Sequence, residues 1–193
     1  MRPLLPVLGM LAALLVGGCD DKDSAANAPP PVALTAEAVG HFCGMALMEH
    51  SGPKGQILLR GSDRPVWFSS ARDTIAFTML SEESKAIRAV YVSDMAKAES
   101  WTQPGATNWV EARSAHFVLG SDLRGGMGAE EAVPFSDNAA AERFAAEHGG
   151  RVLAFAEVPR DWTLGDGGTA PRAPGQPAAP PAPTPAGSPR HAH

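Results

Sequence analysis

The sequence predicts an α+β fold built from two small, related β-β-α-β halves. A hairpin pattern over residues 56–68 precedes a helix that begins near Ser70, and a strand follows at 87–92. The same order of patterns returns in the second part of the chain, where a Phe-Ser pair recurs at a fixed spacing. Together these observations favour a pair of half-domains.

The first half is predicted from its turn and cap signals. Residues 56–59 and 64–68 are short apolar runs bounded by Gly-Pro and Gly-Ser-Asp, a pattern typical of a hairpin. Ser70 places a hydroxyl three residues before the carboxylate of Asp73, which indicates a helix N-terminus, and apolar residues follow at helical spacing. Residues 87–92 are rich in β-branched and aromatic side chains and predict a strand.

The second half is predicted to repeat this order. Its segments are strands at 109–112 and 115–119, residues 133–137 leading into an alanine-rich helix, a helix end at Gly149-Gly150, and a last strand at 151–158. Phe-Ser occurs at residues 68 and 135, and phenylalanine also occurs at 77 and 144, so both pairs are 67 positions apart. Coincidence remains the alternative, because these matches are short. We expect the halves to span about 37–95 and 107–159.

Composition separates a folded part from both ends of the chain. Of the 193 residues, 20 are Gly and 18 are Pro, and they are concentrated toward the termini. Residues 19–35 are polar and proline-bearing, which predicts a flexible tether, and the Pro/Ala-rich residues 162–193 predict a disordered tail. The remaining residues 36–161 are numerous enough to bury a core without disulfides.

The N-terminus is typical of an export signal. Residues 1–18 contain one early Arg, a short apolar stretch and small residues before Cys19. Residues 15–19, Leu-Val-Gly-Gly-Cys, resemble the lipobox of bacterial lipoproteins, which predicts that Cys19 is lipidated and anchors the protein to a membrane. The alternative is an uncleaved anchor helix, although the apolar run is short for a membrane span.

Charge and motif content exclude several functions. The net charge of −5, without a basic cluster, argues against a nucleic-acid partner. The chain has no Gly-rich phosphate loop, G-x-S-x-G element or H-E-x-x-H element, so the sequence predicts that it is not an enzyme. The acidic pairs Glu82-Glu83 and Glu130-Glu131 are interpreted as solvated charge.

The most informative segment for chemistry is Cys43-Gly44-Met45. A thiolate and a thioether are soft donors that select Cu(I), and on an extended backbone side chains two positions apart point the same way. Cys43 is also unpaired, since the chain has 2 Cys and Cys19 is the expected lipidation site. The alternative is a pair of buried core residues, because Cys and Met are common core fillers.

Two further residues are candidate metal ligands. Met127 lies among glycines, which indicates a loop position from which its sulfur could join the site, although a Met folded back onto the core is the alternative. His50 follows the sulfur pair closely and could supply a nitrogen ligand, or it could be a solvated turn residue. It is the least certain of the four candidates. His41 is a weaker candidate of the same kind.

Short motifs in a fixed order resemble the NosL family of nitrous oxide reductase accessory proteins. These motifs are Cys43-Gly44-Met45, Gly52-Pro53-Lys54, Trp67-Phe68-Ser69-Ser70-x-x-Asp73, Gly126-Met127-Gly128-Ala129, Pro134-Phe135-Ser136 and His148-Gly149-Gly150. The resemblance covers about residues 40–159 and is strengthened by the lipoprotein signal.

The resemblance implies a fold akin to the accessory domain of organomercurial lyase. It implies a lipid-anchored protein on the periplasmic side of a bacterial membrane that binds Cu(I). This copper would pass to the nitrous oxide reductase apoprotein, with help from an associated ABC transporter complex. By motif, Cys43 and Met45 are the expected copper pair, Met127 matches the family's Met-Gly loop, and His50 stays optional.

Two alternatives of other classes remain at this stage. The first is a thiol-dependent enzyme of the organomercurial-lyase type, which would need a second thiol or an acid close to Cys43. The second is a structural or metal-storage lipoprotein, which would not transfer copper to a specific target.

Overall fold

The computed structural model describes residues 28–83 and 85–165, which form two antiparallel sheets with helices packed against them. The first sheet has the order β2-β1-β3-β4 and consists of β1 (Gly55–Leu59), β2 (Val66–Phe68), β3 (Ile87–Ser93) and β4 (Trp109–Glu111). The second sheet has the order β6-β5-β7 and consists of β5 (His116–Leu119), β6 (Val133–Phe135) and β7 (Arg151–Ala154). The helices are α1 (Ala71–Met79), α2 (Asn138–His148) and α3 (Arg160–Leu164).

The two halves share one topology, so the predicted fold class is confirmed. In each half the first strand is central and is flanked by the two later strands, with the helix connecting them. The spacing found in the sequence also holds in the structure, because α1 begins at Ala71 and α2 begins 67 positions later at Asn138.

Both main helices begin with a side-chain cap. Ser70 Oγ accepts a hydrogen bond of 3.3 Å from the N–H of Asp73, as the sequence predicted. Asp137 caps α2 in the same way, since its carboxylate accepts a 2.7 Å bond from the N–H of Ala140. Gly149 ends α2 with a φ of 75°, which only glycine adopts without strain.

One strand was assigned to the wrong half. Residues 109–112 were predicted to open the second half, but β4 pairs with β3 at the edge of the first sheet, with Val110 opposite Val92. The pair of strands before α2 is therefore β5 and β6. A β-branched, aromatic segment indicates a strand but does not identify its partner, because pairing depends on contacts distant in sequence.

One hydrophobic cluster spans both halves. Ile57, Phe68 and Ile75 of the first half pack in the same cluster as Phe117 and Leu119 of the second. Because both sheets contribute to this cluster, a displacement of one half would open the packing of the other.

Helix α3 also belongs to the core, which corrects the predicted start of the tail at residue 162. Trp162 is only 1% exposed, and Arg72 lies over its ring at 4.6 Å. Its indole N–H donates a 2.9 Å hydrogen bond to Glu130. The sequence missed this helix because it spans five residues, too few for a helical period to be visible.

Residues 29–34, which the sequence assigned to a flexible tether, are bound to the first sheet. Tyr91 donates a 2.8 Å hydrogen bond to the carbonyl of Pro29, and the amide side chain of Gln56 bonds both backbone groups of Val32 at 2.8 Å. These backbone contacts leave no hydrophobic pattern in the sequence. The predicted signal peptide, Cys19 and the segment from residue 166 onward lie outside the described residues.

Candidate metal-binding site

Cys43 lies in a tight loop closed by backbone hydrogen bonds. The N–H of Gly40 donates to the carbonyl of Met45 at 2.9 Å, and the N–H of Gly44 donates to the carbonyl of Gly40 at 2.8 Å. Gly44 has a φ of 66°, so the chain reverses between the two sulfur residues. The extended backbone assumed for Cys43 and Met45 is therefore wrong, and their joint coordination of one ion stays a prediction.

The edge of β2 holds this loop in place. The N–H of His41 donates a 2.7 Å bond to the carbonyl of Trp67, which is part of β2. The imidazole of His41 lies 3.2 Å from a carboxylate oxygen of Glu83 and stacks edge-on against Phe68. These contacts involve the Nε2 atom and the ring of His41 and favour a structural role for it over metal ligation.

The sulfur of Cys43 is half-buried and lacks a strong partner. Its Sγ lies 3.6 Å from the hydroxyl of Ser69, within hydrogen-bond distance for sulfur, but a thiol is only a weak donor and acceptor. On its other side the sulfur fills the space beside Gly40, where an added Cβ would lie 2.5 Å from Sγ. Cys43 is the free thiol of the described residues, and its sulfur is positioned without being committed to another group.

Met127 lies at the tip of a second loop. The N–H of Gly125 donates to the carbonyl of Ala129 at 3.0 Å, and the N–H of Gly128 donates to the carbonyl of Gly125 at 2.8 Å. The Met127 side chain is 59% exposed. The alternative of a methionine folded onto the core is therefore excluded, and the thioether is accessible to a ligand.

A cleft of about 240 Å³ lies between the Met127 loop and the start of α1. Ser69, which contacts the Cys43 sulfur, lines this cleft together with Met127. Cys43 itself does not line the cleft, so the link between its sulfur and Met127 runs through Ser69.

His50 lies directly beside the Met127 loop. A Cβ on Gly126 would lie 2.5 Å from the Cβ of His50 and 2.9 Å from the carbonyl oxygen of Ser51, so only glycine fits between them. The Nε2 atom of His50 is buried and has no hydrogen-bond partner among the described residues. A buried imidazole nitrogen without a protein partner keeps His50 as a candidate nitrogen ligand.

Met45 and the remaining histidines are less closely connected to this site. Met45 is 38% exposed, which excludes the fully buried alternative for its side chain. His116 lies in β5, and His148 pairs with Asp122 at 3.0 Å. Within residues 28–83 and 85–165, His, Cys, Asp and Glu side chains form no group of three or more that could hold a metal.

Two buried charged residues beneath the loops were missed by the sequence reasoning. Glu131 is only 2% exposed, which contradicts its interpretation as solvated charge. Burial raises its pKa to about 7, while hydrogen bonds from the N–H groups of Arg72 and Ala132 and from the Ser70 hydroxyl oppose this rise. The sequence did contain an indication of this burial, because Glu131 directly precedes the apolar residues Ala132 and Val133.

Lys54 is the buried cation of the same region. Burial lowers its pKa to about 8, and the nearby Glu131 carboxylate opposes this shift. Its ammonium group donates to the carbonyls of Ser51 at 3.1 Å and Gly52 at 2.6 Å. Lys54 therefore fixes the backbone that follows His50.

A family model describes most of the chain. The NosL model matches residues 31–163, which include both loops and all seven strands. This chain belongs to the NosL family. The match begins within the segment bound to the first sheet and ends within α3, in agreement with the limits of the packed domain.

Curated and solved NosL proteins resemble this chain over most of its length. It is 46% identical over 160 residues to the copper-binding lipoprotein NosL of Achromobacter cycloclastes, covering 82% of each chain. It is 32% identical over 152 residues to the copper-binding lipoprotein NosL of Stutzerimonas stutzeri, covering 79% of this chain and 78% of that one. The crystal structure of the copper chaperone NosL from Shewanella denitrificans matches with a TM-score of 0.64 at 34% identity, covering 68% of this chain and 98% of that one.

Proposed function

We propose that this protein carries Cu(I) as cargo, with the thiolate of Cys43 as its principal ligand and the thioether of Met127 as a second. His50 supplies a nitrogen ligand, and Met45, at the end of the Cys43 loop, contributes a further thioether. Relatives named copper-binding lipoproteins and a copper chaperone support copper as the metal. Soft sulfur donors support its monovalent state.

One observation carries this proposal. The half-buried, uncommitted sulfur of Cys43 contacts Ser69, and Ser69 lines the same cleft as the exposed thioether of Met127. A site built from few ligands at the surface holds an ion and leaves it open to ligand exchange, as delivery to another protein requires. A storage site would need no such exposure.

The wider role follows from family membership and from the N-terminal sequence. Copper would be delivered for maturation of nitrous oxide reductase, in association with an ABC transporter complex. The protein would act on the periplasmic side of a bacterial membrane, anchored by lipid on Cys19. No nucleic acid takes part, and the cargo leaves chemically unchanged, so the protein is a metallochaperone and not an enzyme.

A competition titration with a Cu(I) chelator tests the proposal. The full chain should bind one copper, Cys43→Ser should severely weaken binding, and Met45→Leu should weaken it less, with both variants folded. Cys19→Ser is the matched control, because it replaces the other cysteine of the chain, the predicted lipidation site, and should leave the affinity unchanged. Equal affinity of the parent and Cys43→Ser would refute the proposal.

A further inference from the structure

We infer that Glu131 is a positioning residue of the copper site, which holds the Met127 loop against the half of the domain that carries Cys43. This inference rests on the function proposed above. It adds a residue that contributes no copper ligand and that sets the distance between the two sulfur donors.

One carboxylate oxygen of Glu131 joins the halves. Its Oε1 accepts a 2.9 Å hydrogen bond from the N–H of Arg72 and a 3.1 Å bond from the hydroxyl of Ser70, both at the N-terminus of α1. The same oxygen accepts a 2.9 Å bond from the N–H of Ala132 in its own segment. Helix N-termini favour negative charge, so this link is both a hydrogen-bond bridge and a favourable dipole interaction.

The other carboxylate oxygen supports the Met127 loop. A Cβ on Gly125 would lie only 2.9 Å from Oε2 of Glu131, so the loop backbone passes close to the carboxylate with no room for a side chain between them. This oxygen is buried and has no hydrogen-bond partner among the described residues. On its other side the loop contacts His50 through Gly126, so the backbone before Met127 is held between two side chains.

The same carboxylate also reaches the Cys43 side of the cleft. Ser70, which donates to Glu131, directly follows Ser69, whose hydroxyl contacts the Cys43 sulfur. Glu131 is therefore in contact with the Met127 loop and hydrogen-bonded to the segment next to Cys43, so it bears on the distance between the two sulfur donors. Residues that orient metal ligands without touching the metal commonly change affinity by about ten- to a hundredfold when they are altered.

Asp94 offers a matched control for this role. It is also buried and also bridges the halves, since it accepts hydrogen bonds of 2.9 Å and 2.6 Å from the N–H and hydroxyl of Ser136. It does not line the cleft that holds Met127. Loss of its charge should affect stability without moving the sulfur donors.

A double-mutant cycle tests the inference. Cu(I) affinity is measured by chelator competition on the full chain for the parent, Glu131→Gln, Met127→Leu and the double variant, with thermal melting as the check of folding. We expect Glu131→Gln to weaken binding about tenfold in the parent and to have little effect in the Met127→Leu background. Asp94→Asn should leave the affinity unchanged.

The outcomes separate this inference from the proposed function. If Met127→Leu weakens binding but Glu131→Gln does not, the inference is overturned. It is also overturned if the fold-changes in Cu(I) affinity of the two single variants multiply in the double variant, because Glu131 then does not act through Met127. If the parent fails to bind Cu(I), or Met127→Leu has no effect, the proposed ligand set fails and the inference falls with it.

A second variant covers the case in which Glu131→Gln does not fold. Gly125→Ala adds a methyl group against Oε2 of Glu131, at a position where the backbone has no positive φ and accepts alanine. It should weaken Cu(I) binding in the parent and not in the Met127→Leu background. Unchanged affinity of a folded Gly125→Ala protein would overturn the inference.

Discussion

The Sγ atom of Cys43 lies 3.6 Å from the Oγ atom of Ser69, between the end of β2 and the start of α1. This contact ties the Cys43 sulfur to a well-packed part of the fold, because Ser69 is buried and the next residue caps the helix. The thioether of Met127 lines the same cleft from a loop of the other half. The geometry of the site therefore depends on how the two halves are held together.

The contact between Gly126 and His50 gives the first prediction. Gly126→Ala would place a Cβ 2.5 Å from that of His50, so the Met127 loop must shift. We expect Cu(I) affinity to fall about tenfold, measured by chelator competition, while the domain stays folded. Gly128→Asn is the control, because Gly128 has open space around it and its φ of 78° is one that asparagine tolerates. An unchanged affinity in Gly126→Ala would show that copper binding does not depend on the position of the Met127 loop.

The partnerless nitrogen of His50 gives the second prediction. His50→Leu should weaken Cu(I) binding but leave the free energy of unfolding nearly unchanged, because no hydrogen bond of Nε2 within the described residues is lost. His41→Leu is the matched histidine control. It breaks the contact with Glu83 and should not alter copper affinity. Equal copper affinities of the His50 variant and the parent would remove His50 from the site.

The buried carboxylate of Glu131 gives a pH dependence of stability. Its pKa is raised by burial from 4.5 to about 7, so between these values the folded protein binds more protons than the unfolded chain. The free energy of unfolding of the metal-free protein should therefore fall as the pH rises through this range, by about 3 kcal/mol from this group. Urea denaturation at a series of pH values measures this dependence. The free energy of unfolding of Glu131→Gln should change less with pH over this range than that of the parent.

Lys54 does not interfere with this measurement. Burial lowers its pKa to about 8, so its contribution changes only above that pH and has the opposite sign, with stability rising as the pH increases. The same slope between pH 4.5 and 7 in Glu131→Gln and the parent would contradict the assignment to Glu131.

The packing of α3 gives the fourth prediction. Trp162→Ala should lower the free energy of unfolding by about 3–5 kcal/mol, since it removes a buried indole and its cation–π contact with Arg72. Trp162→Phe keeps an aromatic ring but loses the hydrogen bond to Glu130. It should therefore lower the free energy of unfolding by less, about 1–2 kcal/mol. Chemical denaturation distinguishes the two. A Trp162→Ala protein as stable as the parent would place α3 outside the core.

Local signals predicted much of the fold. The cap of Ser70 on Asp73, the glycine end of α2 and the hairpin of β1 and β2 depend on neighbouring residues, so the sequence contains them directly. The partner of β4 and the packing of Trp162 depend on distant residues. No periodic pattern records such contacts, and these are the features that the sequence reasoning assigned wrongly.

The candidate site was predicted by residue type more than by geometry. Donor chemistry selected Cys43, Met45, Met127 and His50 as candidates, and their role as ligands stays a prediction. The structure places the Met127 loop against His50 at Gly126, and Ser69, which contacts the Cys43 sulfur, lines the cleft beside Met127. The turn at Gly44 was missed, because a positive φ at glycine is one of several conformations open to that residue.

The central claim is that the sulfur atoms of Cys43 and Met127 bind one copper ion together. X-ray absorption at the copper edge on the Cu(I)-loaded full chain tests it most directly, by counting sulfur neighbours in the parent, Cys43→Ser and Met127→Leu. We predict monovalent copper with few ligands, and the loss of one sulfur neighbour in each variant. Identical sulfur shells in all three proteins, or a shell of nitrogen and oxygen alone in the parent, would contradict this account.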